Sequence, residues 1–122
     1  MAQIIPARVI YDSEELTDIL TTAVEGGIGY WSVITDYTRA EDLGWTSVCL
    51  TPDEEGKGDF LPKWVLLDDI QQAIDKIVSE RETINVRKDI VEAVCSGDPG
   101  NIDSEGADVI VQLAMFGKLV YG

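Results

Sequence analysis

The sequence contains no histidine, and that absence removes much of the usual chemistry. Serine–histidine and cysteine–histidine catalysis lose their base, and zinc loses its commonest ligand. Cysteine is almost as scarce. Cys49 and Cys95 are the only two, they lie far apart, and neither belongs to a Cys-x-x-Cys pair. A small secreted scaffold carries several bridges, so these thiols read as reduced, small hydrophobes in the core of a protein from a cell interior. A structural zinc site would need carboxylates almost alone, which is rare. No apolar run approaches the roughly 18 residues of a membrane span. The opening Met1-Ala2-Gln3-Ile4-Ile5-Pro6 lacks the basic and long apolar regions of a secretion signal. The expected location is the cytoplasm.

Positive charge is the next shortage. Nine basic side chains face 23 acidic ones, for a net charge of -14. Such a field repels phosphate backbones, so direct binding of nucleic acid or an anionic membrane is disfavoured. The charge serves solubility, or it attracts a basic surface on a partner.

Ligand-binding motifs are missing too. There is no Gly-x-x-x-x-Gly-Lys-Ser/Thr loop, and Gly26-Gly27-x-Gly29 follows a helical pattern rather than a strand, unlike a dinucleotide fingerprint. A calcium loop starting at Asp53 would put Lys57 fifth and Trp64 twelfth. One starting at Asp98 would put Gly100 and Ile102 where oxygen ligands belong, so neither is an EF-hand. Asp98, Asp103, Glu105 and Asp108 could form an irregular magnesium site, but turn formation and helix N-capping explain the same residues. Paired carboxylates for glycosidase-like chemistry are inevitable among so many acids and carry no information. The expectation is a non-enzymatic protein with no cofactor and no metal.

What is present makes a fold. The chain has 122 residues, of which 45% are hydrophobic, enough for one compact core. Residues 3–11 alternate like a first strand, which Pro6 would push to a sheet edge or a bulge. Asp12 or Ser13 caps a helix with the apolar stripe Leu16, Ile19, Leu20, Ala23 and Val24. Gly26-Gly27 ends it, in the left-handed conformation open to glycine. Residues 28–38 fit a strand or a helix, and their β-branched and aromatic density favours a strand. Further strands are expected at 45–51 and 60–67, around an exposed turn at 52–59. Asp68 or Asp69 caps a second helix with core stripe Ile70, Ala73, Ile74, Ile77 and Val78. A third helix around 86–95 buries Val86, Ile90, Ala93 and Val94. A loop follows at 96–101. Asp103 caps a last helix with Ala107, Ile110, Val111 and Ala114 inward, Gly117 breaks it, and residues 118–121 form a final edge strand.

This order does not alternate strictly, so a doubly wound parallel sheet is disfavoured. The reading is a single α+β domain over 1–122: a small antiparallel sheet packed with about four helices.

Residues 26–50 are poor in charge, with Asp36, Glu41 and Asp42 as acids and Arg39 as the sole base, yet they hold Tyr30, Trp31, Tyr37 and Trp45. Aromatics at such spacing fill cores, but tyrosine and tryptophan also suit pockets and interfaces. The candidate binding residues are therefore Gly26, Gly27, Tyr30, Trp31, Tyr37, Arg39 and Trp45. Trp31 and Tyr37 are the expected stacking faces, and Arg8 and Arg39 the anion contacts.

Two stretches resemble a known group. Thr22-Ala23-Val24-Glu25-Gly26-Gly27-Ile28-Gly29-Tyr30-Trp31, and Ala107 to Gly117 continuing through Tyr121-Gly122, are similar to small bacteriophage proteins, especially those of phages of actinobacteria. The resemblance covers roughly a quarter of the chain. It assigns no catalytic or binding residue. It implies context: a dispensable phage protein made in the cytoplasm of a bacterial host, where many such proteins counter host defence.

Two functions follow as expectations. The first is an inhibitor that binds a basic host protein, with Glu14, Glu15, Asp18, Asp75, Asp89 and Glu92 mimicking nucleic-acid charge. The second is a small-molecule binder that sequesters a nucleotide immune signal at the aromatic stretch. A homo-oligomer is compatible with either.

Overall fold

A computed structural model of the chain describes residues 8–41, 44–52 and 62–121. Residues 53–59 of the turn expected at 52–59, the start of the strand expected at 60–67, and most of the strand expected at 3–11 lie outside those residues, while Pro52 ends a strand. Helix α1 (Ser13–Gly26) begins where the sequence indicates. The Asp12 carboxylate accepts the Glu15 N–H at 2.8 Å and the Glu15 carboxylate accepts the Asp12 N–H at 3.0 Å, a reciprocal capping box. Leu16, Ile19, Leu20 and Ala23 are buried on one face.

Strand β1 (Ser32–Ala40) resolves the ambiguous segment as extended, with residues 27–31 forming turns before it. It pairs antiparallel with β2 (Gly44–Pro52), which pairs antiparallel with β3 (Lys63–Leu66), in the order β1-β2-β3. Register shifts at Ile34/Asp36 and Thr38/Arg39 mark bulges in the long hairpin. Gly44 has φ of 111°, and a Cβ there would come within 2.5 Å of Thr21 Oγ1, so both its backbone conformation and the approach of α1 demand glycine.

Helix α2 (Leu67–Ser79) starts just ahead of the expected cap, and Asp69 accepts the Leu66 N–H at 2.9 Å from inside the first turn. Its stripe of Ile70, Ala73, Ile74, Ile77 and Val78 is buried as the spacing requires. Helix α3 (Lys88–Cys95) buries Ile90, Val91 and Val94, whereas Val86 and Ala93 pack only partly against the core. A 3-10 turn at Pro99–Asn101 leads to α4 (Ser104–Phe116), capped by Asp103, which accepts the Gly106 N–H at 2.9 Å.

The result is an α+β fold of three antiparallel strands and, among the described residues, four α-helices. Val48, Leu50 and Val65 face a single core shared with the helices. On the other side of the sheet Val33, Trp64 and Leu66 are exposed. Helix α4 is buried nearly all round, including the polar Asp108 and Gln112.

Three expectations need correction. Gly27 caps α1 in a right-handed conformation, φ -116° and ψ -40°. Glycine is needed there for space, because a Cβ would sit 2.6 Å from the Ser104 carbonyl oxygen and 3.3 Å from Asp108 Cβ. Residues 118–121 form no strand. The Gln112 side chain takes the place of a strand partner, its Oε1 accepting the Val120 and Tyr121 N–H groups at 2.9 Å each. Residues 8–11 likewise join no sheet, and the Gln71 amide bridges Tyr11 N–H (3.0 Å) and the Val9 carbonyl (2.9 Å) as a neighbouring strand would.

Candidate functional site

A cleft of about 610 Å³ opens where the end of α1 meets the flank of α4. Gly26, Gly27 and Tyr30 form one wall, and Asp108, Val109 and Gln112 of α4 form another. Leu119 and Tyr121 close one side, and Arg87, Ile90, Ser104 and Glu105 border the other.

The polar centre is Asp108, only 9% exposed. Trp31 Nε1–H donates to its Oδ1 at 2.7 Å and the Tyr30 hydroxyl donates to its Oδ2 at 2.7 Å. Gln112 Nε2 adds a 3.0 Å bond to Oδ1, and also donates to the Tyr121 carbonyl at 3.2 Å. A buried carboxylate without donors would be costly, and here neutral donors supply the need. Helical spacing makes this possible, since Asp108 and Gln112 are one turn apart on the same face. Aromatic packing holds the donors in place. Trp31 is fully buried, stacked on Tyr121 at 5.2 Å and 11°, with Phe116 tilted against it at 5.6 Å.

At the rim, Arg87 grips Asp89 with Nε and Nη2 at 2.7 and 2.9 Å and reaches Glu105 with Nη1 at 2.8 Å. Hydrogen bonds to Asp89 and then Glu105 raise the guanidinium further above its ordinary range, and the hydrogen bond from Arg87 lowers the Asp89 carboxyl. The cation is therefore committed to two carboxylates.

The aromatic candidates divide in two. Gly26, Gly27 and Tyr30 line the cleft. Trp31 sits behind it with no face exposed for stacking, so its part in the site is to position Asp108. Tyr37, Trp45 and Arg39 lie elsewhere, on the β1–β2 hairpin, where Tyr37 packs on Trp45 at 4.7 Å and Arg39 covers the Trp45 ring at 5.3 Å. Arg8 lies in neither group, paired through two 3.1 Å bonds with Asp75 on α2.

The acidic candidates also differ in what they touch. Glu14, Asp18 and Glu92 are exposed on α1 and α3. Glu15 is used in the α1 capping box, Asp75 by Arg8 and Gln71, and Asp89 by Arg87. Burial acts to raise the Asp75 carboxyl, but the Arg8 and Gln71 hydrogen bonds outweigh it and lower it. Of the possible magnesium ligands, Asp98 caps the 3-10 turn, Asp103 caps α4, Glu105 meets Arg87, and Asp108 holds Tyr30 and Trp31. They form no ligand cluster among the described residues.

Cys49 and Cys95 are free thiols, both partly buried, and burial pushes the Cys95 thiol up, away from reactivity. No helix among the described residues is long and apolar enough to cross a membrane. No family model, curated protein or solved structure matches the chain.

Proposed function

We propose that this chain is a non-enzymatic binding protein whose acidic surface docks on a basic face of a host protein, occupying a site that otherwise holds nucleic acid. One observation carries the reading: a net charge of -14 on a folded domain. Glu14 and Asp18, one turn apart on α1, and Glu92 on α3 supply exposed carboxylates at the surface of rigid elements. Charge of this kind steers association and selects partners of opposite sign. The resemblance of the Thr22–Trp31 and Ala107–Gly122 stretches to bacteriophage proteins supports a bacterial partner, such as a defence nuclease. The test is capture from host lysate at low and high salt, with bound proteins and small molecules identified by mass spectrometry. A basic protein held only at low salt is the expected result. A partner equally retained at high salt contradicts the reading, because screening shortens from about 10 Å at 0.1 M to about 3 Å at 1 M.

A second reading, sequestration of a nucleotide signal, draws on the cleft beside Gly26, Gly27 and Tyr30. Its weakness is electrostatic. The cleft's cation, Arg87, is already clamped by Asp89 and Glu105. Thermal stabilisation by a signalling nucleotide would favour it over docking.

A further inference from the structure

We propose that the cleft between α1 and α4 is a site for an alkyl guanidinium or alkyl ammonium group, with the Asp108 carboxylate as its acceptor. Asp108 Oδ1 already accepts from Trp31 and Gln112, whereas Oδ2, among the described residues, accepts only from the Tyr30 hydroxyl. A carboxylate oxygen can take more than one donor, so Oδ2 keeps capacity at the cleft wall.

The surroundings favour a cation. The C-terminal end of α1, the negative end of its dipole, borders the cleft through Gly26 and Gly27, and its last turn holds no basic residue. The positive end of α4 is also near, but Asp103 caps it and Glu105 stands in its first turn. Among the described lining residues, Glu105 and Asp108 set two carboxylates against the guanidinium of Arg87, which is also paired with Asp89. An anion would meet a net negative wall.

Shape and apolar lining fit the rest of such a ligand. Ile90, Val109 and Leu119 offer surface to an alkyl stem. The volume of about 610 Å³ holds more than a single methylene chain. The group could come from an arginine or lysine of a basic partner or from a free small molecule. In the first case the inference deepens the docking reading and rests on it; in the second it stands on the cleft alone.

The test is an amide and indole NMR titration of the full chain at constant ionic strength. The probes are agmatine, a neutral-flanked peptide with one central arginine, and inorganic phosphate. Saturable shifts at Gly26, Gly27 and the Trp31 indole N–H with agmatine support a free small molecule as the source. The same shifts with the peptide alone support a protein side chain. Non-saturating shifts spread over the carboxylates of α1, α2 and α3 overturn the proposal, as does saturable binding of phosphate in the cleft.

Asp108→Asn should abolish binding, with its fold checked by the same spectrum. The exposed Glu105→Gln should leave the fold intact and weaken binding about tenfold, because it removes one negative charge from the wall and leaves Arg87 less neutralised beside the ligand cation. Unchanged affinity in Glu105→Gln overturns the proposal even if Asp108→Asn fails to fold. Capture of a basic partner without agmatine or peptide binding overturns the cleft site alone. Agmatine binding without any captured partner supports the cleft and contradicts docking.

Discussion

Among the described residues Asp108 is held by neutral donors, and that makes single side chains around it unusually consequential. Trp31→Phe keeps most of the ring packing but removes the indole donor, leaving a buried acceptor short of a partner. The expected loss is about 1–3 kcal/mol in urea unfolding. Gln112→Leu fits the space but frees the Val120 and Tyr121 N–H groups and removes a donor to Asp108, so a loss of about 2–4 kcal/mol is expected, with Val120 and Tyr121 losing amide exchange protection. Glycine gives a sharper contrast. Gly27→Ala forces a Cβ to within 2.6 Å of the Ser104 carbonyl and should destabilise by about 1–3 kcal/mol, while Gly29→Ala, with nothing within 4 Å, should be near neutral. Equal melting temperatures for these two variants would sink the close-approach explanation. The Asp108–Gln112 pair was within reach of the sequence. Two polar residues four apart in the otherwise apolar run Ala107-Asp108-Val109-Ile110-Val111-Gln112-Leu113-Ala114-Met115-Phe116 call for buried partners. Helix-capping logic accounts for Asp103 but says nothing of Asp108, which lies beyond the first turn.

At the scale of elements, the helices follow from local rules. Asp12 with Glu15, the stripe of α2, and Asp103 before α4 specify starts and buried faces through short-range geometry that the sequence displays directly. Gly117 ends α4 with φ of 72°, so Gly117→Ala should cost about 1 kcal/mol in thermal or urea unfolding, and no change would contradict the left-handed cap. The terminal strand expectation failed for a different reason. Alternation in residues 118–121 looks like a strand, yet whether a strand forms depends on a neighbour, and here a glutamine side chain supplies the hydrogen bonds. The same holds for residues 9–11 beside Gln71. The division of the aromatic stretch was also hidden. Residues 27–31 turn the chain between α1 and β1, so Tyr30 reaches the cleft while Tyr37 and Trp45 sit on the hairpin. That separation depends on long-range packing between α1 and α4, which no local pattern encodes.

For the whole molecule, burial and nearby charge together shape how stability responds to pH. Burial, then the charge of Glu15, raises the Tyr11 phenol from 10.0 to about 12 while its hydroxyl donates to the Val94 carbonyl at 2.8 Å. A raised folded value means the neutral form is favoured in the fold. Its stabilisation is complete below pH 10 and is lost as pH rises through about 12. Tyr11→Phe should cost about 1 kcal/mol at neutral pH, and the wild-type advantage should shrink across that alkaline window in urea midpoints. An advantage independent of pH would contradict the assignment. The central claim, that acidic faces dock on a basic partner, is tested most directly by one comparison. The affinity of the captured partner is measured against salt for wild type and for the triple variant Glu14→Gln, Asp18→Asn, Glu92→Gln. The account predicts that the variant binds about tenfold more weakly at low salt, with a shallower salt dependence, and that the two converge at high salt. Equal affinities and equal salt slopes would contradict it.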